Sequence, residues 1–224
     1  MGARRSRGLS LVELLVGMAV GLVVVAAGSS VVLDNVRENR ALALETRLMQ
    51  DLRNAVDIVS RDLRRARYWA ASASGVRSDD GSVVIPNPYA AVSPMAAASD
   101  ATLFRFSRDA VENGFVDANE QFGFRLHNGA IELQLGDGNW QALTDSTLLT
   151  VTSFVVEPSV EESSLASFCV NPCPPASVSC PPRQQVQRFA VTVSGQSIAD
   201  PRVRRSVQSS VRLRNSAVVG SCEV

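Results

Sequence analysis

Residues 14–33 read LLVGMAVGLVVVAAGSSVVL, twenty positions without a formal charge. As an α-helix this stretch rises 1.5 Å per residue and covers about 30 Å, the thickness of a hydrocarbon core. Arg4, Arg5 and Arg7 precede it, with no acid among the first eight residues. A basic flank before an apolar span is a membrane-targeting pattern. A plain anchor satisfies it, and so does a secretory signal cut near Val25-Ala26-Ala27. Neither has a use for Glu13, because a carboxylate in lipid costs about 2.5–3.5 kcal/mol on insertion scales, less near the interface. Glu13 therefore needs a partner. Cleavage after Gly8 would create one: the ammonium of Leu9, one helical turn from Glu13, able to neutralise the Glu13 of a neighbouring parallel helix.

Working outward, Leu44, Leu48, Leu52, Val56, Val59, Leu63 and Ala66 recur at spacings of three and four, an apolar stripe. Glu38, Glu45, Arg53, Asp57, Arg64 and Arg65 lie opposite and read as a solvated face. No Pro or Gly interrupts residues 29–74, so one helix is expected from about Leu9 to about Ala70. A signal peptide removed after Ala27 would waste that continuity. Gly17 and Gly21 form a G-x-x-x-G pair, a weak pattern for close helix approach in lipid.

Arg4-Arg5-Ser6-Arg7-Gly8, followed by Leu9-Ser10-Leu11-Val12-Glu13-Leu14-Leu15, resembles the prepilin signature of type IV pilins and type II secretion pseudopilins. The resemblance implies cleavage between Gly8 and Leu9 by a prepilin peptidase, N-methylation of Leu9, where Phe is commonest, and an assembly role for Glu13. Residues 55–69, AVDIVSRDLRRARYW, are similar to the helix-end segment of PilW-type minor pilins and more loosely to J-type pseudopilins. An Ala-Gly-Tyr-Trp ending is usual there, and Arg67 replaces that Gly. Val211-Arg212-Leu213-Arg214-Asn215 also resembles the final strand of these chains. The implied organisation is a leader over residues 1–8, a transmembrane and assembly segment over 9–33, an amphipathic half-helix over 34–71, and a periplasmic β-rich domain over 72–224. The implied place is the inner membrane, single-pass, then the pilus fibre or its tip. The implied partners are the prepilin peptidase, other minor and major pilins met through the N-terminal helix, and the inner membrane.

Composition narrows the chemistry. The 224 residues carry 22 basic and 22 acidic side chains, every basic one an Arg, and a single histidine, His127. Without Lys there is no Schiff base, P-loop Lys or Ser–Lys dyad. With one His there is little for a clustered metal site or a His-paired acid–base system. His127 precedes Asn128-Gly129 and reads as an exposed turn residue. No catalytic residue, cofactor or metal is assigned, and an enzyme is not expected. Asp117, Asn119 and Glu120 offer oxygen ligands, but the Gly and distal Glu of an EF-hand loop are missing, so calcium is a minor reading. Outside the leader the charge is 19 Arg against 22 acids. Arg202, Arg204, Arg212 and Arg214 share a parity without interleaved aromatics, so a solvated strand face is expected and no nucleic acid partner.

Beyond residue 70 the composition turns to Ala, Ser, Gly and Pro up to Asp100, with one possible strand at Val83–Ile85. Leu103–Phe106, Phe122–Leu126, Ile131–Leu135, Leu148–Val156, Val186–Val193 and Val207–Leu213 read as strands, with a tight turn at 136–139. The fold class is α+β: a long N-terminal helix, membrane-spanning in its first half, packed on a mainly antiparallel sheet. An even cysteine count outside the cytoplasm favours two disulfides among Cys169, Cys173, Cys180 and Cys222. Pairing residues 186–193 with 207–213 places Val193 near Val207 or Ser209 and Cys222 within about two residues of Cys180. That register favours Cys180–Cys222 with Cys169–Cys173, the alternative being Cys173–Cys222 with Cys169–Cys180.

The expected function is a minor pilin taking part in type IV pilus assembly. The same-class alternative is a J-type pseudopilin of type II secretion; that of another class is a membrane-anchored periplasmic binding module.

Overall fold

Residues 48–63 bury one apolar side chain every three or four positions, and this periodicity fixes how the helix meets the rest of the protein. In the computed structural model, which describes residues 11–75, 83–175 and 177–223, helix α1 spans Leu11–Leu63. The chain divides into two units, residues 1–44 and 45–224. In the first, the apolar side chains of residues 11–33 are all exposed, and the helix is long and apolar enough to cross a membrane. Its two serines turn their hydroxyls onto the helix itself, Ser29 Oγ to Val25 O and Ser30 Oγ to Ala27 O, both at 2.8 Å. Back-bonding of this kind leaves no hydroxyl bare in an apolar medium.

In the second unit, the C-terminal part of α1 buries Leu48, Leu52, Ala55, Val56, Val59 and Leu63. This is the stripe read from the sequence, with Leu44 half-buried at its edge. Two residues of the opposite face are not merely solvated. Glu45 pairs with Arg205, and the Arg65 guanidinium lies 4.2 Å over the Phe106 ring.

The helix stops at Leu63, short of the expected Ala70. Residues 64–67 form a turn in which Ala66 N–H reaches back to Leu63 O, and Arg67 N–H leaves the helix for Arg105 O at 2.9 Å. Arg67 has φ 65°, the left-handed region that favours glycine. It is held there by its own Nε on Ala90 O and by Asn87 Nδ2 on its carbonyl, both at 2.9 Å.

Two sheets receive the helix where one was expected. The first runs β1 (Val92–Ser93), β2 (Ala101–Arg105), β3 (Gln121–His127), β4 (Ala130–Leu135), β5 (Trp140–Ala142), in that spatial order and antiparallel throughout. The second places β6 (Leu149–Ser164) beside β7 (Arg183–Ser197), with β8 (Arg204–Arg212) and β9 (Ala217–Val219) both on β7's other side. Residues 83–85 form no strand. Val83 is exposed, prolines 86 and 88 follow, and among the described residues one backbone bond, Ile85 N–H to Ser74 O, ties the stretch. The edge strand is instead Val92–Ser93, paired with Phe104 and Leu103. Strand β6 runs past Val156 through Pro158, which is tolerated because β6 is an edge strand. The expected register of β7 and β8 holds, Val193 opposite Val207 and Phe189 opposite Val211. Phe104, Phe122, Phe124 and Ile131 of the first sheet and Phe154, Phe189, Val191 and Val193 of the second close over the helix stripe in a single core. Asn128 and Gly129, both at positive φ, make the tight β3–β4 turn.

Candidate functional site

Of the residues implicated in processing and assembly, Gly8 and Leu9 lie outside the described residues. Glu13 stands in the first turn of α1, exposed, among exposed Leu11, Val12, Leu14 and Leu15. Gly17 and Gly21 have nothing within 4 Å of where a Cβ would stand, so that face of the helix is open to a close neighbour.

The four cysteines form two disulfides, as expected, but neither expected pairing occurs. Cys169 bonds Cys222, and Cys173 bonds Cys180. The tail does run beside Cys180, as the expected register requires: β9 opposes Arg183 to Val219, and Ser221 N–H reaches Ser179 O at 2.9 Å. Pro181 and Pro182, however, lie immediately before β7 and keep the strand from reaching back to Cys180. Residues 165–182 then curl back as the β6–β7 connection, tied by Leu165 N–H to Pro182 O. The sulfurs of Cys169, Cys173 and Cys180 consequently lie within 4.8 Å of one another. Register alone cannot choose among sulfurs gathered so closely. Cys180 is buried and closes the small loop, while Cys169 remains at the mouth to meet the tail.

A second polar cluster surrounds Glu120, a carboxylate with no exposed surface. Its Oε1 accepts Arg108 N–H at 2.7 Å; its Oε2 accepts Asp117 N–H at 2.9 Å and faces the hydroxyl of buried Tyr89 at 3.0 Å. That hydroxyl also lies 3.0 Å from Glu112 Oε1 and from Phe115 O. Burial raises the Tyr89 hydroxyl pKa above its ordinary value, and bonding to Glu120 and Glu112 raises it further. Burial and the neighbouring Glu120 charge likewise push the Asp109 carboxyl up. Oxygens of Asp109, Asp117 and Glu120 lie within 4.8 Å of one another and could together reach a hard cation. Of the three oxygen ligands read from the sequence, Asp117 and Glu120 belong here. Asn119 presents its carbonyl to Arg108 instead. Tyr89, Asp109 and Glu112 were missed; only the Asp-x-x-Glu spacing of 117–120 signalled a local bond.

The hub locks the loop between β2 and β3. Glu120→Gln would set an amide N–H against a backbone N–H whichever way it turned. It is expected to cost about 2–3 kcal/mol of unfolding free energy, measured by urea denaturation.

His127 ends β3, half-exposed, its Nδ1 3.0 Å from Glu132 Oε1. Arg125 bonds the other oxygen of Glu132 at 2.7 Å and holds that carboxyl below its usual range, with His127 assisting against burial. Arg202 pairs with Asp200 at 2.8 Å, and Arg204, Arg212 and Arg214 are exposed, the solvated face expected.

Residues 41–213 match the family model of prepilin peptidase-dependent protein B, and residues 3–29 match that of the prokaryotic N-terminal methylation motif. No curated protein and no solved structure matches the chain.

Proposed function

The chain belongs to the prepilin peptidase-dependent protein B family, and from that premise we propose that it is a minor pilin, of the PilW type, which joins an initiating or tip complex of a type IV pilus. Its pilin-type character and its dependence on prepilin peptidase follow from the two family matches. The finer role rests on one observation: the methylation motif at the head of the chain and the family match over the sheets are joined by an unbroken helix carrying Glu13. In this reading the peptidase removes residues 1–8 and Leu9 becomes the methylated terminus. Residues 14–33 hold the protein in the inner membrane, with the sheets on the periplasmic side, until it enters the fibre. The chain acts by assembly and not as an enzyme, and its partners are other minor and major pilins.

Two measurements test this. Terminal sequencing of the membrane-extracted protein is expected to begin at Leu9; a start at Gly28 would mean an ordinary signal peptide. Deleting the gene is expected to remove surface pili and leave exoprotein secretion intact. The reverse outcome would assign the chain to the J-type pseudopilins.

A further inference from the structure

We propose that the cleft between the turn ending α1 and the end of β8 is a phosphate-binding site, built on Arg67, Arg212 and Arg214, which takes the dianion of a phosphate monoester. The site lies within the second unit and is independent of the processing and assembly reading.

Two chain ends meet to build it. Leu213 is buried, its N–H bonded to Gln187 O, while Arg212 and Arg214 on either side of it are exposed. Strand alternation sends both arginines away from the core. Arg214 N–H reaches Arg64 O at 3.4 Å, and Asn215 Nδ2 donates to Ala66 O at 3.0 Å. These bonds bring the end of β8 beside the turn in which Arg67 takes its left-handed conformation. The three arginines line one cavity with Trp69 and Gln184, of about 420 Å³. That volume is in the range of small-molecule sites.

Donors crowd this cavity, and no acidic side chain lines it among the described residues. Trp69 is only 6 % exposed, and its buried indole N–H finds no acceptor. A buried indole N–H is normally paired, so this one points to a ligand. The opposite edge of the ring is accounted for: a Cβ on Gly75 would stand 3.1 Å from Trp69 Cζ3. Arg67 is half-buried, and only its Nε is bonded among the described residues, to Ala90 O. Burial lowers its pKa, with no carboxylate to oppose the effect. Arg212 and Arg214 also lack ion pairs among the described residues. Arg188, opposite Arg212 in the register, has one, with Glu161 at 3.5 Å.

Charge and shape select the ligand. A neutral molecule would leave three guanidiniums uncompensated, and a cation would be repelled. A single carboxylate carries one charge and offers its oxygens in one plane. The donors here come from three places in the chain: the α1 turn, β7 and the end of β8. Such a set suits a tetrahedral group carrying about two negative charges, which a phosphate monoester is at neutral pH. Guanidinium forks match its oxygens. The cavity is larger than a bare phosphate ion, leaving room for the esterified body.

The test is calorimetric titration of the full-length chain in non-ionic detergent with glycerol phosphate, inorganic phosphate and succinate at constant ionic strength. Glycerol phosphate is expected to saturate one site, more tightly than the other two. It should also change the Trp69 fluorescence, read in a Trp140→Phe background. Arg212→Gln and Arg214→Gln, both at exposed positions, are each expected to weaken binding by about tenfold, the loss of one charge-assisted bond. Arg204→Gln removes the same charge from the other end of β8 and should leave the affinity unchanged. Repeating the titration in phosphatidylcholine nanodiscs, with and without phosphatidic acid, separates a lipid-borne ester from a soluble one. Competition by phosphatidic acid assigns the group to a lipid, and its absence to a soluble molecule. No saturable binding would overturn the proposal, as would succinate or inorganic phosphate binding as tightly as the ester. Undiminished affinity in Arg212→Gln and Arg214→Gln, or an equal loss in Arg204→Gln, would overturn it too.

Discussion

Glu13→Ala is expected to leave the protein in the membrane with both sheets folded, and to lower its recovery in sheared pili by about tenfold or more. The folded unit does not depend on this side chain, because the buried core begins at Leu48. Membrane retention does not depend on it either, since removing a carboxylate makes residues 11–33 more apolar. On the proposed pairing, the loss is that of the attraction between Glu13 of one chain and the Leu9 ammonium of another, which in a low dielectric far exceeds its value in water. Immunoblots of sheared pili and of membranes, compared with wild type and with Glu13→Asp, give the answer. Glu13→Asp should recover part of the incorporation, since it keeps the charge. Incorporation of Glu13→Ala at the wild-type level would refute the pairing and leave the carboxylate without a role.

How much of this was readable in advance depends on the range over which each residue acts. The helix stripe of Leu48, Leu52, Val56, Val59 and Leu63 was legible because a 3.6-residue period is local and one side of it must be covered. The register of β7 on β8 was legible from the parity of Phe189, Val191, Val193, Val207 and Val211 for the same reason. The stop at Leu63 was not, because Ala66 and Arg67 continue a helical pattern. The chain leaves it only to give Arg67 N–H to Arg105 O on a strand that follows some forty residues later. Splitting into two sheets was equally hidden, since alternation reports a buried face without naming its neighbour.

Long-range polar arrangements were the least legible. Glu120 looked like one of several surface oxygens in 117–120, and nothing nearby in sequence marks Tyr89 as the hydroxyl that meets it. Gly123 interrupts an alternating run as an ordinary strand glycine would. Only the pairing of β2, β3 and β4 shows that Leu103 and Gln134 converge over it.

The two disulfides are expected to contribute unequally, and removing the long-range one should be among the most damaging substitutions in the domain. Cys169–Cys222 closes a sequence separation of 53 residues and Cys173–Cys180 one of 7. The loss of unfolded-chain entropy grows with the logarithm of that separation. It amounts to about 4 kcal/mol for the first bond and about 2 kcal/mol for the second. The difference is also structural. Cys222 follows β9, a three-residue strand, and without its bond the tail keeps, among the described residues, that short ladder on β7 and Ser221 N–H on Ser179 O of the β6–β7 connection. Cys173–Cys180 only tightens the β6–β7 connection, whose ends β6 and β7 are already paired from Ser164–Arg183 inward. Urea unfolding of Cys169→Ser and Cys222→Ser should therefore show matching losses, each about twice that of Cys173→Ser. Equal losses from both bonds would contradict the account. Non-reducing peptide mapping supplies the direct check, with Cys222 linked to Cys169; a Cys180–Cys222 peptide would restore the pairing that strand register alone favours.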